Sequence, residues 1–310
     1  MCRLVVFHGH NSLKFFIKLS ASAILRLLAV LPQVATKSLA IFAAWMLWRT
    51  KSKRCRITER NLEISFPDMP AARREQLARA SLRELSENIL DIGRTWLWRP
   101  ERLLRRVVRI SGKEHLRTAV AGRSGTIVMA PHLGNWELLH LYICNKYPVT
   151  AMYQERKRVE INDLMRHARE RSGAKLVPAT AGGVRSILRA LKAGEVTTVL
   201  PDQVPPVEGG KFAPFFGEPA LTMTLVTNLI QRTGAKAIAG YCKRVPGGNY
   251  EIVFRPADEE IYASDSATAL AALNRSVEHC VLDCPTQYLW SYKRYRKPSS
   301  LTERGYFQTS

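Results

Sequence analysis

Three side chains along this chain have the types and the placing to move a proton. His132 follows the apolar run 126–130 (Thr-Ile-Val-Met-Ala) and a proline, and Glu137 stands five residues further on. The run reads as a buried strand, Pro131-His-Leu-Gly134 as a turn, and Asn135 as the start of a helix. Gly134 permits the sharp turn that would fold the helix start back over the imidazole. A carboxylate beside a histidine fixes its tautomer and stabilises the imidazolium formed when the ring takes a proton. His132 and Glu137 therefore read as a general-base dyad with no nucleophile of its own. The same residues also suit an ordinary turn, with Glu137 merely favouring the positive helix N-terminus. Asp202 follows a second apolar run, 196–200, and Pro201, which puts it on the same rim as His132. A lone Asp at a loop start is most often a turn residue. A histidine and two carboxylates on one edge say more.

Other chemistries lack their residues. There is no GxSxG elbow, no GxxxxGK[ST] loop and no HExxH. Thr180-Ala-Gly-Gly183 is too short for a nucleotide fingerprint, and Cys144, four residues after His140, lies on an apolar helix face as a core thiol would. The six cysteines are scattered, with no CxxC pair and no metal-ligand spacing, which reads as reduced thiols in a cytosolic setting.

The elements that must position these groups follow from the hydrophobic period. Residues 70–98 carry Leu77, Leu82, Leu85, Ile89 and Leu90 near helical spacing. From 125 onward short apolar runs alternate with amphipathic stretches. Strands are expected at 126–130, 149–153, 175–177, 196–200, 236–244 and 250–255. Helices are expected at 135–146, 158–172, 182–193, 222–233 and 266–282, with Thr222 as an N-cap. Such alternation predicts an α/β fold whose central sheet is largely parallel and covered by helices on both faces. Three regions are expected: a basic, apolar N-terminal segment (1–56), a main domain (57–298) and a tail (299–310).

The 310 residues hold 47 Lys+Arg against 26 Asp+Glu, a formal charge of +21. A hydrophobic share of 46% excludes wholesale disorder. Residues 1–56 alone contribute ten basic side chains and no acid, and the last twenty contribute five against one. The excess points to polyanions. A basic nucleic-acid binder is one reading, since Trp290, Tyr292 and Tyr295 alternate with Lys293, Arg294 and Arg296, but no binding motif accompanies them. Residues 13–48 argue otherwise. They are apolar, broken by Arg26, Pro32 and Lys37, and too interrupted for an ordinary span or signal peptide. One or two helices lying in a membrane interface fit better, with Trp45 and Trp48 beside Arg49, Lys51, Lys53 and Arg54. The alternatives are a buried helix pair with a solvated basic face and a single tilted span with snorkelling Lys and Arg.

His132-(four residues)-Glu137 resembles the HX4(D/E) motif of glycerolipid-type acyltransferases. An ordered set extends the likeness: Arg60-Asn61-Leu62, Phe66-Pro67, Met152-Tyr153, the run 166–173, Leu200-Pro-Asp-Gln203, Phe215-Phe216-Gly217 through Thr224, and Trp290-Ser-Tyr-Lys-Arg294-Tyr295. Together these resemble the late acyltransferases of lipid A biosynthesis over about residues 20–297. The resemblance implies an acyltransferase on the cytoplasmic face of the bacterial inner membrane. Its expected partners are acyl carrier protein as donor, an anionic glycolipid acceptor and the membrane, with no nucleic acid, cofactor or metal. His132 would take the hydroxyl proton, Glu137 would orient and charge the imidazole, Arg169 would meet a phosphate or oxyanion, and Asp202 would order that arginine or a substrate hydroxyl. Phe215 and Phe216 would line an acyl pocket or simply fill the core. Arg294, Arg296 and Lys297 would meet phosphates or the carrier protein. One departure is Gln154, where many relatives carry Arg after Met-Tyr, with Arg156 or Arg158 as substitutes. Relatives acting on other lipids leave a different phospho- or glycolipid acceptor open.

Overall fold

Thr126–Met129, the strand that ends just before His132, is buried on every side chain. Successive residues leave it in opposite directions, as strand geometry requires. Ile127 and Met129 join one apolar cluster with Ile187, Leu229 and Leu273, while Val128 joins another with Leu138, Leu141 and Phe254. A strand covered on both faces carries an unbroken apolar run rather than an alternating one, which is why it could be read directly.

The computed structural model describes residues 22–154 and 159–296, and side chains from all of these except 159–162. In order, the helices are α1 (Ser22–Val30), α2 (Gln33–Arg49), α3 (Lys53–Ser65), α4 (Ala71–Leu97), α5 (Pro100–Leu104), α6 (Lys113–Ala121), α7 (Trp136–Cys144), α8 (Val159–Glu170), α9 (Ala181–Lys192), α10 (Leu225–Thr233) and α11 (Ser266–Asp283). The strands are β1 (Val107–Ser111), β2 (Thr126–Met129), β3 (Thr150–Tyr153), β4 (Lys175–Pro178), β5 (Val196–Val199), β6 (Gly210–Phe215), β7 (Glu218–Met223), β8 (Lys236–Val245) and β9 (Asn249–Pro256). Arg156, Arg158, Lys297, the first 21 residues and the tail fall outside the described residues.

The main sheet runs β1-β9-β8-β2-β5. β2 lies parallel to both β5 and β8, β1 lies parallel to β9, and only β8 and β9 are antiparallel. A bridge from Val149 to Val196 leads on to the parallel pair β3–β4. The expected largely parallel α/β sheet is present. The expectation at Thr222 is corrected: it lies buried in β7, and α10 starts three residues beyond it, at Leu225, with Thr224 at the cap. β1 and the β6–β7 hairpin were not expected. The hairpin turns at Phe216 and Gly217, with φ of +50° and +81°. Tight hairpins need positive φ at both central residues, and a phenylalanine there hides the usual signal. Phe215 is fully buried against Tyr288 and Tyr295, so it fills the core. Arg294 is equally committed, donating to Leu221 O, Thr222 Oγ1 and Asn274 Oδ1.

The first two helices fold into an elbow. α1 and α2 meet at 118°, around Leu31 and Pro32; among the described residues no single helix is long and apolar enough to cross a membrane, while the bent pair passes that test together. Helix α2 turns Thr36, Ala40 and Ala44 inward, a stripe of small residues four apart. Its large apolar residues point outward, with Val34 at 77% and Phe42 at 59% exposure. Arg94 of α4 and Trp98 at its C-terminal cap pin the elbow by donating to the carbonyls of Leu31 and Ala29. At Gly93 the two backbones nearly touch, since a Cβ there would lie 2.4 Å from Leu25 O.

Helix α4 is tied to the sheet by buried charge. Arg244 of β8 faces Glu84, Glu87 and Asp91 of α4 and donates to Asn88 Oδ1 at 2.9 Å. Tyr250 donates to Asp91 at 2.7 Å. Burial pushes the Asp91 carboxyl up, but Arg244 and Tyr250 outweigh it and hold it below its ordinary value. Removing Arg244 would leave three acids facing one another with little water. Arg244→Met is expected to destabilise the protein by about 3–5 kcal/mol, read as a fall in the denaturation midpoint at unchanged slope.

Candidate active site

β2 and β5 are paired in register, Met129 opposite Val199. Both strands then continue through Pro131 and Pro201, so His132 and Asp202 leave the sheet at the same level. His132 Nδ1 lies 2.8 Å from Asp202 Oδ1, and the His132 amide donates to Asp202 Oδ2 at 2.9 Å. An ionised carboxylate only accepts, so Nδ1 carries the proton and Nε2 presents its lone pair. That lone pair is met by the Gln203 amide nitrogen at 3.1 Å. Trp136 closes one side of the ring, its centroid 5.0 Å away.

The turn itself is held at four points. Gly134 has φ +59°, and its amide donates to Gln287 O at 3.0 Å. Asn88 of α4 donates to Gly134 O at 3.1 Å, and Leu289 N donates to His132 O at 3.0 Å. Asn135 N reaches Cys242 O at 2.7 Å, and its side chain caps α7 by accepting from Leu138 N. A Cβ on residue 134 would sit 2.1 Å from Cys242 O, so glycine is required by space as well as by φ.

The structure corrects the expected role of Glu137. Its two carboxylate oxygens accept from Arg169 Nε and Nη2 at 2.9 and 2.6 Å, a bidentate pair. The hydrogen bond that orients the imidazole belongs to Asp202. Asp202 therefore does not order Arg169, and Arg169 spends two of its donors on Glu137. Burial pushes both carboxyls up, but Arg169 overcomes this at Glu137 and His132 at Asp202, and both stay below their ordinary values. Glu137 also lies within electrostatic reach of His140 and His132, both weaker influences than Arg169. The His132 ring thus has one ionised carboxylate bonded to it and a second within electrostatic reach.

Gln203 carries no assigned role in the sequence, and Asp202, expected on this rim to order Arg169 or a substrate hydroxyl, bonds His132 rather than Arg169. The signal was available: two apolar strands, each followed by proline, put residues 132 and 202 at equal offsets. Nothing in the spacing could pair Glu137 with Arg169, because they come from different helices, α7 and α8.

A cavity of 140 Å³ runs from His132 and Trp136 along α4, walled by Leu85, Ile89 and Ile92. Behind Glu137 lies His140, bonded through Nδ1 to Thr198 Oγ1 at 3.0 Å and through Nε2 to Cys144 Sγ at 3.4 Å. Burial, helped by Arg169, lowers His140 to about 4. The Cys144 thiol is pushed up by burial to about 11, which suits a packing role rather than a nucleophile.

Comparison with known proteins follows the same line. Residues 10–297 match the family described as bacterial lipid A biosynthesis acyltransferase. The chain is similar to the lipid A biosynthesis lauroyltransferase of Escherichia coli K12, 27% identical over 259 residues that cover 83% of this chain and 84% of the relative. The palmitoleoyltransferase of the same organism is 28% identical over 244 residues, 77% and 78% of the two chains. A phosphatidylinositol mannoside acyltransferase of Mycobacterium tuberculosis is 26% identical over 179 residues, 56% of each chain.

His140 supplies a test of the site's electrostatics. Its folded value lies below the unfolded one near 6.5, so the unfolded chain binds a proton that the folded chain refuses. Stability should therefore fall as pH drops from about 6.5 towards about 4, by on the order of 2 kcal/mol. His140→Gln, which keeps a hydrogen-bonding side chain, is expected to flatten that part of the curve in denaturation at stepped pH.

Proposed function

The chain belongs to the bacterial lipid A biosynthesis acyltransferase family and is an acyltransferase; from that premise we propose that it moves a fatty acyl chain from acyl carrier protein to a hydroxyl of a lipid A precursor, working at the cytoplasmic face of the inner membrane. The observation that carries the mechanism is the His132–Asp202 hydrogen bond, which leaves Nε2 as the base. The acceptor hydroxyl displaces the Gln203 amide and gives its proton to Nε2. Its oxygen attacks the thioester carbonyl carbon directly, and the carbonyl electrons pass to oxygen. When the tetrahedral intermediate collapses, the C–S bond breaks and the imidazolium returns its proton to the departing thiolate. Asp202 holds the ring and stabilises its positive form, and Glu137 adds to that stabilisation through space. The cavity along α4 offers the apolar surface that an acyl chain seeks. The exposed apolar faces of α1 and α2 support a seat in the membrane interface, with Lys51 and Arg79 stacked on Trp48 at its basic edge.

A second reading keeps the reaction and changes the acceptor. The similarity to a phosphatidylinositol mannoside acyltransferase favours another anionic glycolipid. Incubating purified protein with acyl carrier protein loaded with a fatty acyl thioester and either acceptor, followed by mass spectrometry of the lipids, separates the two; transfer to neither would refute both.

Three variants test the mechanism, each read as transfer rate on folded, purified protein. His132→Ala should lower transfer by about 10²–10⁴, the usual worth of a general base. Asp202→Asn should cost about as much, by releasing the wrong tautomer. Glu137→Gln should cost about 10², because it strips a negative charge and leaves Arg169 uncompensated beside a ring that must become positive. Near-normal transfer by Asp202→Asn would sink the assignment of the base.

A further inference from the structure

A recess of 640 Å³ opens between the α1–α2 elbow and the end of α4. Among the described residues its lining includes Arg26, Arg94, Arg102 and Arg106 with Gln33 and Trp98, and no acidic side chain. Arg94 is buried and committed to Asp91, Thr36 and the Leu31 carbonyl. Arg106 gives one nitrogen to Gly248 O. Arg26 and Arg102 are exposed and face no carboxylate among the described residues. The Arg102 guanidinium lies 3.7 Å from the Trp98 ring centroid, which fixes its plane and leaves its edge donors pointing away from the ring. The indole is itself anchored to Ala29 O at 3.0 Å. The carbonyls of Leu97 and Trp98, which would repel an anion at the helix end, are covered by Arg171.

Arg26 and Arg102, like charges facing one recess without a carboxylate of their own, favour an anion that joins them. The rim says which anion. Ile24, Leu27, Val30 and Val34 are all exposed beside the recess, a surface for hydrocarbon rather than for nucleic acid. We propose that this recess binds the phosphate-bearing headgroup of an anionic lipid whose chains lie on the apolar faces of α1 and α2. The proposal rests on the membrane reading of the elbow given above. Arg169 and Arg294, which the sequence offered for a phosphate, are already spent on Glu137 and on the core. The phosphate has two possible sources, the acceptor itself or the surrounding phospholipid.

The test uses full-length protein carrying Arg26→Gln with Arg102→Gln, both exposed, against Arg105→Gln, a neighbouring exposed arginine that does not line the recess. Flotation measures binding to phosphatidylcholine vesicles with and without phosphatidylglycerol. Transfer kinetics measure KM for a lipid A precursor and for its dephosphorylated form. If bulk phospholipid fills the site, the double variant binds the anionic vesicles roughly ten- to thirtyfold more weakly and plain phosphatidylcholine as before. If the acceptor fills it, vesicle binding holds while KM for the phosphorylated precursor rises about tenfold at unchanged kcat, and the dephosphorylated form shows no rise. A double variant matching Arg105→Gln in both measurements overturns the proposal. Absence of transfer in the unmutated protein would count against the function proposed above, and the vesicle measurement would then decide the headgroup site alone.

Discussion

Parallel pairing of β2 with β5 is the constraint on which the rest of the site depends. The two strands are in register over their whole length, and each is followed by a proline at the same offset. Proline removes a donor and ends the ladder on both at once. The side chains that follow therefore emerge side by side at the carboxyl edge of the sheet, where α/β folds place their sites. The His132–Asp202 pair is the direct product, holding both a ring nitrogen and a backbone amide on one carboxylate. Shifting β5 by one residue would turn Asp202 away from His132.

Around that pair the molecule spends buried charge on placement. Arg244 gathers three acids of α4 against β8, and Asn88 beside them holds the carbonyl of Gly134. Gln287 grips the backbone of Arg244 at both its amide and its carbonyl, and its own carbonyl receives the Gly134 amide. The turn bearing His132 is thus fastened to the same network that docks the long helix. Replacing such a network by apolar groups could hold the fold equally well; its polar character is what fixes the angle of the turn.

Much of this was legible because strands buried on both faces announce themselves. The runs at 126, 196 and 236 were readable for that reason, and so was the rim shared by His132 and Asp202. β1 was not, since Val108 and Arg109 face outward and break the apolar run. The β6–β7 hairpin was hidden by a phenylalanine in a glycine-like conformation. The partnership of Glu137 with Arg169 was beyond reach for a different reason. Motif spacing describes what lies near in the chain, and an ion pair between two helices depends on how both pack. A five-residue separation suggested that Glu137 would reach the histidine; the guanidinium arriving from α8 takes its oxygens first.

The crossing of α1 over α4 at Gly93 has a mechanical meaning. Two helices usually meet through layers of side chains that can rearrange to absorb a displacement. Here backbone lies against backbone, with no room for a single methyl group. Helix α4 is also the wall of the cavity that reaches His132. A tilt of the elbow is therefore transmitted to that wall as motion of a stiff lever, without a compliant layer between them. The cavity beside His132 and the apolar elbow are thereby joined through one stiff helix, and strain applied at one end is felt at the other.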